Sequence, residues 1–376
     1  MSSSQALYNR LMKRVAPLVA VSNIKQVMNW MWITVGILQS KSVALSEIAT
    51  HIPSRAHAES RVTMIRRWLK NLKVDVWTFY RPILEHALRG WRGVRVYVVL
   101  DGVLVFGEHW QIFRLSLVHG CRAVPLVWMV GGKGLTQVQH LEAMLTRAAE
   151  FLQPRVKQVV FLADAGFRDC DWAHLCQKLG WQYVIRVARN TTVSLSDGRV
   201  CRIDALGVKL GQRRYFQDVL LTKAAKLRTH LSVTWTPGDE KNPPELLPVV
   251  SSQSAARARL HDYAQRMSIE QSFRDDKSGG FDLTHTRLQH ADRLERLLLA
   301  VAIATVWCHE LGEHVLSQGD AVRREIDPGY HRQLSLFQLG LRWLKRCLST
   351  AIKRLPMFHL CLSPLKLLPV VNPLDP

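Results

Sequence analysis

Apolar positions recur at helical spacing through the first ninety residues. ALYNRLMKRVAPLV and IKQVMNWMWITVGILQS cluster their apolar residues as helices do. SRVTMIRRWLKNLKV sets Val62, Ile65, Leu69 and Leu72 on one side and carries Arg61, Arg66, Arg67, Lys70 and Lys73. From about residue 93 the period changes. GVRVYVVLD is a β-branched run that ends in an acid, Asp101, and VLVFGEHW, QIFRLSLVH and AVPLVWMV follow as short strands split by turn residues. VQHLEAMLTRAAEFL is an amphipathic helix. VKQVVFLAD is a second buried-type strand ending in an acid, Asp164. CDWAHLCQKLG is a helix stopped by glycine, and QYVIRVA is a third such strand. Between about 189 and 255 the strands are short, with an Asp-Gly hairpin signal in TTVSLSDGRVCRI and a loop at PGDEKNPPE. YAQRMSIEQSFRDDK reads as a helix ending at Gly279-Gly280. A long helix over about 290–315 and a basic helix, SLFQLGLRWLKRCLSTAIKRL, come after it, and the tail from Pro364 reads as extended.

Three strands, or four, followed by helix–strand alternation predict an α/β fold, a mixed sheet flanked by helices. This is the element order of the ribonuclease-H-like architecture. The charge then narrows the partner. The 376 residues hold 51 Lys and Arg against 30 Asp and Glu, a net +21 with pI near 10.1. Such a balance calls for a polyanionic partner, nucleic acid first. Residues 1–90 alone carry thirteen basic against four acidic residues, a net +9, so the basic helices suit DNA phosphate contacts as well as a cap on the next domain. No pair among the seven cysteines has C-x2-C spacing, which leaves a zinc knuckle unsupported and fits reduced thiols in the cytoplasm. The first residues lack a signal-peptide apolar core, and the longest apolar run, Leu297–Cys308, is short of the ~20 residues a bilayer requires. A buried core helix is expected there, and no membrane partner.

Two acids at the ends of buried strands come close together if the strands are neighbours, and strand ends facing a crevice are where ligands gather. A close acid pair needs a positive partner, and an all-oxygen ligand set suits Mg2+ or Mn2+. Glu270 is the candidate third acid. On a helix Tyr263, Arg266, Glu270 and Lys277 fall within roughly 60° of one another at about 100° per residue, so one face presents a carboxylate among two cations and a phenol. Two metal ions held this way would clamp both oxygens of an in-line phosphoryl displacement. Taken alone, either aspartate is more often an ordinary turn residue, and Glu270 more often a solvated helix charge. The conjunction of the three acids with the sheet order and the +21 charge carries the reading.

The spacing Y-x2-R-x3-E-x6-K at Tyr263, Arg266, Glu270 and Lys277 resembles the signature of a group of bacterial insertion-sequence DDE transposases. SGGFDLTHTRLQHADRLERLLLAVAIATVW is similar to that group's following helical stretch, and LDGV and LADAGF resemble its aspartate segments. The resemblance covers roughly Arg92 to His314. It departs from the family pattern at Gly102-Val103, where Gly-Thr or a similar polar pair is usual, and at Ala165, where arginine is usual. It implies a ribonuclease-H-like catalytic core with a β-rich insertion subdomain and an all-α N-terminal domain. Asp101, Asp164 and Glu270 are implied as catalytic ligands of two Mg2+ (or Mn2+) ions, and Tyr263, Arg266 and Lys277 as DNA contacts. Arg66, Arg67 and Lys70 are the expected DNA contacts of the basic helices. Trp235 is a candidate for stacking on a flipped base, with a core tryptophan as its alternative. The implied partners are double-stranded terminal inverted repeats, target DNA and a second copy of the chain, in a bacterial cytoplasm on the nucleoid. The division expected is a DNA-binding domain over 1–90, the core's first part over 91–188, the insertion over 189–255, the glutamate helix and its successor over 256–316, and a C-terminal region over 317–376. The activity implied is cut-and-paste transposition, the alternatives being a structure-specific nuclease or a non-catalytic DNA-binding descendant.

Overall fold

The computed structural model describes residues 2–20, 23–120, 122–167, 170–221, 227–238, 243–350 and 352–364. Cys121, Asp169, the middle of the PGDEKNPPE loop and the tail from 365 lie outside them. The N-terminal ninety residues are helical as expected: α1 (Ser3–Val15), α2 (Ile24–Ser40), α3 (Leu45–Thr50), α4 (Ala58–Lys70) and α5 (Val76–Ala87). Three strands follow, β1 (Arg95–Val105), β2 (Trp110–His119) and β3 (Arg122–Gly131). Alternation then brings α6 (Val138–Leu152), β4 (Gln158–Ala163), α7 (Cys170–Lys178) and β5 (Gln182–Arg186). The short strands are β6 (Thr192–Ser194), β7 (Val200–Arg202), β8 (Arg214–Leu221), β9 (Leu227–Thr236) and β10 (Glu245–Ser251). Five helices complete the chain: α8 (Arg257–Ala264), α9 (Met267–Arg274), α10 (Ala291–Ser317), α11 (Asp320–Arg324) and α12 (Leu336–Thr350).

The sheet runs β3-β2-β1-β4-β5-β10-β9-β8-β6-β7. β1, β4 and β5 are parallel neighbours, and β2 and β3 pair antiparallel on the other edge of β1, so the expected mixed sheet is present. Its β-rich continuation differs from a separate insertion sheet. β10 pairs antiparallel with β5 through Val249↔Arg186 and Ser251↔Val184, so β6 to β10 extend the same sheet. The Asp-Gly hairpin forms as read, β6 against β7, with Gly198 at φ +88 in the turn.

A second difference concerns β1. The Asp-Gly dipeptide at 101–102 reads as a turn, yet the strand runs through it to Val105. Pairing with β4 ends at Leu100↔Ala163, whereas pairing with β2 continues to Val105↔Trp110 and carries the backbone onward. Asp101 therefore lies within a strand, at the point where its parallel neighbour leaves.

The helices cover the sheet. Residues 297–308 form the buried centre of α10, as their unbroken apolar run requires, and no helix among the described residues is long and apolar enough to cross a membrane. α12 packs on α10 so closely that a Cβ at Gly340 would come 1.8 Å from the Cys308 carbonyl oxygen; only glycine fits. The N-terminal helices are fastened to the same body. Arg296 of α10, buried, donates to the carbonyls of Leu69 and Val74, and the Tyr80 hydroxyl donates to Pro125 in β3.

Candidate active site

Asp101 and Asp164 stand side by side because β1 and β4 run parallel in register up to Leu100↔Ala163. At that point β4 ends. Asp164 turns the chain into a 3-10 turn over Ala165–Phe167, its carboxylate accepting from Gly166 N at 2.7 Å. The Asp101 carboxylate accepts from Gly102 N at 2.7 Å. Gly102 faces the opposite side of the sheet, where a Cβ would meet Gln111 Nε2 at 2.5 Å. The bare glycine lets Gln111 lie across β1 and accept from Gly134 N at 2.8 Å, which ties the β3–α6 loop to the strand beneath Asp101.

α8 and α9 bring the third acid. The helical path tightens between them, with i→i−3 hydrogen bonds at Gln265, Arg266, Ser268 and Ile269, while Gln265 and Arg266 keep right-handed helical angles. Tyr263, Arg266 and Glu270 stay on one side. Arg266, 8% exposed, ion-pairs with Glu270 Oε1 through Nη2 and approaches Asp101 Oδ2 at 3.4 Å through Nη1. Its guanidinium carbon lies 5.8 Å from the centre of the Tyr263 ring. Burial opposes the charge on Arg266, but Tyr263, Glu270, Asp101 and Asp164 outweigh it and raise its pKa. Burial pushes the Asp101 carboxyl up to about 6; Arg266 and the Gly102 N–H oppose this, and Asp164 and Glu270 add to it. The Tyr263 hydroxyl is pushed up to about 12, burial first, with Arg266 opposing the rise. Three carboxylates thus share one guanidinium.

The helix changes character before Lys277. After α9 the chain widens into a π turn over Asp275–Gly279, and Lys277 leaves helical geometry at ψ −109. The regular 100° step behind the placement of Lys277 is thus interrupted in this turn. The turn also shows what the acids beside it do. Asp276, 2% exposed, ion-pairs with Arg114 of β2, which stands opposite Asp101 in register. Asp275 accepts from Arg122 Nε at 2.6 Å and from Gln338 Nε2 at 2.7 Å. Ser272 accepts from Ala123 N at 2.7 Å. These contacts clamp the glutamate helix onto β2 and β3. The signal in the sequence for this contact is Arg114 itself. A charge inside the apolar run QIFRLSLVH needs a buried partner.

Residues 128–307 match the family model described as the transposase DDE domain. Over that stretch the chain is similar to a transposase DDE domain. The matched stretch begins in β3 and ends in α10; it includes Asp164 and Glu270, while Asp101 precedes it. No curated protein matches the chain. A DDE domain implies a ribonuclease-H-like fold, in keeping with the mixed sheet. The other residues expected to contact DNA lie elsewhere. Arg66, Arg67 and Lys70 are exposed on α4, whose Ile65, Trp68 and Leu69 are buried. Trp235 on β9 is half-buried against the core with its indole N–H on the Val208 carbonyl at 2.9 Å.

Among the described residues no three His, Cys, Asp or Glu side chains stand as a ready metal cage. The reason is visible at Arg266, which occupies the space that Asp101 and Glu270 face. The donor set still fits a hard divalent cation. It is all carboxylate oxygen, and one guanidinium leaves the three acids short of positive charge.

Proposed function

We propose that this chain is a transposase that cuts DNA at the ends of an insertion sequence and joins them to a target, with Asp101, Asp164 and Glu270 as its catalytic carboxylates. The observation that carries the reading is the convergence of these three acids, from β1, the end of β4 and α9, on Arg266 in a DDE domain. Asp101, Asp164 and Glu270 would hold Mg2+ or Mn2+, two ions in this reading, which when bound supply positive charge to the attacking and leaving oxygens of an in-line displacement. The carboxylates orient by fixed backbone contacts, at Gly102 N for Asp101 and Gly166 N for Asp164. Arg266 balances their charge in the metal-free protein and, once displaced toward solvent, is placed to hold a DNA phosphate. The clamp from Arg114, Arg122 and Gln338 keeps Glu270 at a fixed height above the sheet.

The rest of the reading follows from this site. Tyr263, Arg266 and Lys277 contact the cleaved end; Arg66, Arg67 and Lys70 contact flanking duplex; Trp235 is the candidate stacking residue. Two copies pair the two terminal inverted repeats, and cleavage and joining proceed by cut and paste in the bacterial cytoplasm. The test uses the DNA flanking the coding sequence on both sides as a labelled duplex. Incubation with Mg2+ should give cleavage at a discrete end and joined product with a supercoiled target. Cleavage without joined product would mark a nuclease, and binding with neither product a non-catalytic descendant.

A further inference from the structure

The helix that carries Tyr263 and Arg266 has a second attachment to the sheet. One helical turn before Arg266, Asp262 is 5% exposed and takes three donors at once. The Tyr97 hydroxyl donates to its Oδ1, and Arg95 and Arg259 reach its Oδ2 through Nη2 at 3.2 and 3.1 Å. Arg95 also donates to Gln253, in the connection from β10 into α8, at 3.4 Å, and its guanidinium carbon lies 5.1 Å from the centre of the Tyr97 ring. Charge-assisted hydrogen bonds from several directions fix the orientation of a carboxylate as well as balancing its charge.

The positions of these donors relate the cluster to the site. Arg95, Tyr97 and Asp101 are separated by even numbers of residues along β1, so all three lie on one face of the strand. Asp262 and Arg266 are four residues apart on a helical path, so they lie on one side of it. One side of the helix is therefore tied twice to one face of β1: Asp262 to Arg95 and Tyr97, and Arg266 to Asp101. The two ties differ in kind. Arg266 is bound to carboxylates that the proposed function assigns to cations, and that function moves it onto DNA phosphate. The partners of Asp262 have no part in that chemistry and keep their contacts whichever group Arg266 faces.

We propose that Asp262, fastened by Tyr97 and Arg95, is a positioning residue for the reaction. It holds α8 on β1 independently of Arg266, so that Tyr263 and Glu270 keep their register over Asp101 while Arg266 changes partners. The inference rests on Asp101 and Glu270 being reactive carboxylates, and adds the residue that keeps their two elements aligned.

The mild variant is Tyr97→Phe, which removes one donor to Asp262 and leaves the ring in place; Asp262→Asn keeps the shape and removes the charge. The control is Tyr80→Phe, which deletes a buried hydroxyl of the same kind, the donor to the Pro125 carbonyl between α5 and β3. Two readouts are taken on the full chain. Without metal, hydrogen exchange is followed at the amides of Arg266, Ser268 and Ile269, which bond to the carbonyls of Tyr263, Gln265 and Arg266. It should quicken about tenfold in Tyr97→Phe, the scale of one hydrogen bond to a charged group, and match wild type in Tyr80→Phe. With Mg2+ and saturating flanking duplex, cleavage should slow about tenfold in Tyr97→Phe and about 10²-fold in Asp262→Asn, the scale on which an ångström of misplacement acts. Duplex affinity should be unchanged, because no group assigned to DNA is altered, and Tyr80→Phe should cut at the wild-type rate. Wild-type exchange or wild-type cleavage in Tyr97→Phe, or an equal change in Tyr80→Phe, overturns the positioning role. A wild-type chain that leaves the duplex uncut overturns the functional reading beneath it, and the metal-free exchange then still decides whether Asp262 holds the helix.

Discussion

Replacing Arg114 by methionine should cost more stability than any exposed change in this chain, and the cost should depend on pH. Arg114 and Asp276 have side chains only 4% and 3% exposed. Removing the arginine leaves a carboxylate in a nearly dry site, which typically costs about 3–5 kcal/mol. If the 376 residues unfold as one unit, that lowers the melting temperature by about 4–6 °C. The sign with pH follows from Asp276. Burial raises its pKa, and Arg114 opposes the rise. Without Arg114 the folded-state pKa climbs further above the unfolded value of 3.8. The folded state then binds a proton that the unfolded state has released, so stability present in acid is lost as pH rises through the new folded pKa. The deficit of Arg114→Met should therefore be small in acid and full at neutral pH. Adding Asp276→Leu should recover most of it, because an apolar pair of similar volume replaces a buried ion pair at little cost. Urea titrations of the wild type, the single variants and the double variant at several pH values measure all of this. A deficit under about 1 kcal/mol, typical of an exposed pair, or one that does not shrink in acid, refutes the claim that this pair clamps the glutamate helix.

Three further outcomes follow. Asp101→Asn should stabilise the protein at neutral pH by up to about 3 kcal/mol, because burial shifts the native carboxyl from 3.8 to about 6 and the ionised form bears that cost; the difference should grow as pH rises from 3.8 to about 6 and be absent in acid. Mg2+ or Mn2+ at about 100 times its Kd should raise the wild-type melting temperature by about 3 °C, and Asp164→Asn should abolish the rise; a rise that survives places the ion elsewhere. Gly102→Ala should push the Gln111 amide aside, since its Cβ would stand 2.5 Å from Gln111 Nε2, and cost about 1 kcal/mol through the lost bond to Gly134 N; in a Gln111→Ala background the same change should cost nothing, and calorimetry of both variants checks it.

Much of the fold is legible in the sequence, element by element. β4 and Asp164 stand where a β-branched run ends in an acid, and α10 where an apolar run is bounded by polar residues. What escaped depends on partners distant in the chain. Asp101-Gly102 has local turn chemistry, and only β2 on the far edge of β1 keeps the strand extended there. Nothing local says that β10 will pair with β5 and draw the short strands into one sheet. The helix face was legible as far as Glu270. Beyond it the wide turn takes two consecutive aspartates to arginines on different strands, Asp275 to Arg122 and Asp276 to Arg114. Helical periodicity carries no information about such pairs.

The most direct test is Mg2+-dependent cleavage of the flanking duplex by Glu270→Gln beside the wild type, with DNA binding measured on the same samples. The change keeps the size of the side chain and a hydrogen-bonding partner for Arg266, and removes only the charge that the site requires. The account predicts binding at wild-type affinity and cleavage reduced by at least a factor of about 10² to 10³, the scale on which loss of one preorganised electrostatic group acts. Cleavage by Glu270→Gln at the wild-type rate would contradict it and place the chemistry outside Asp101, Asp164 and Glu270.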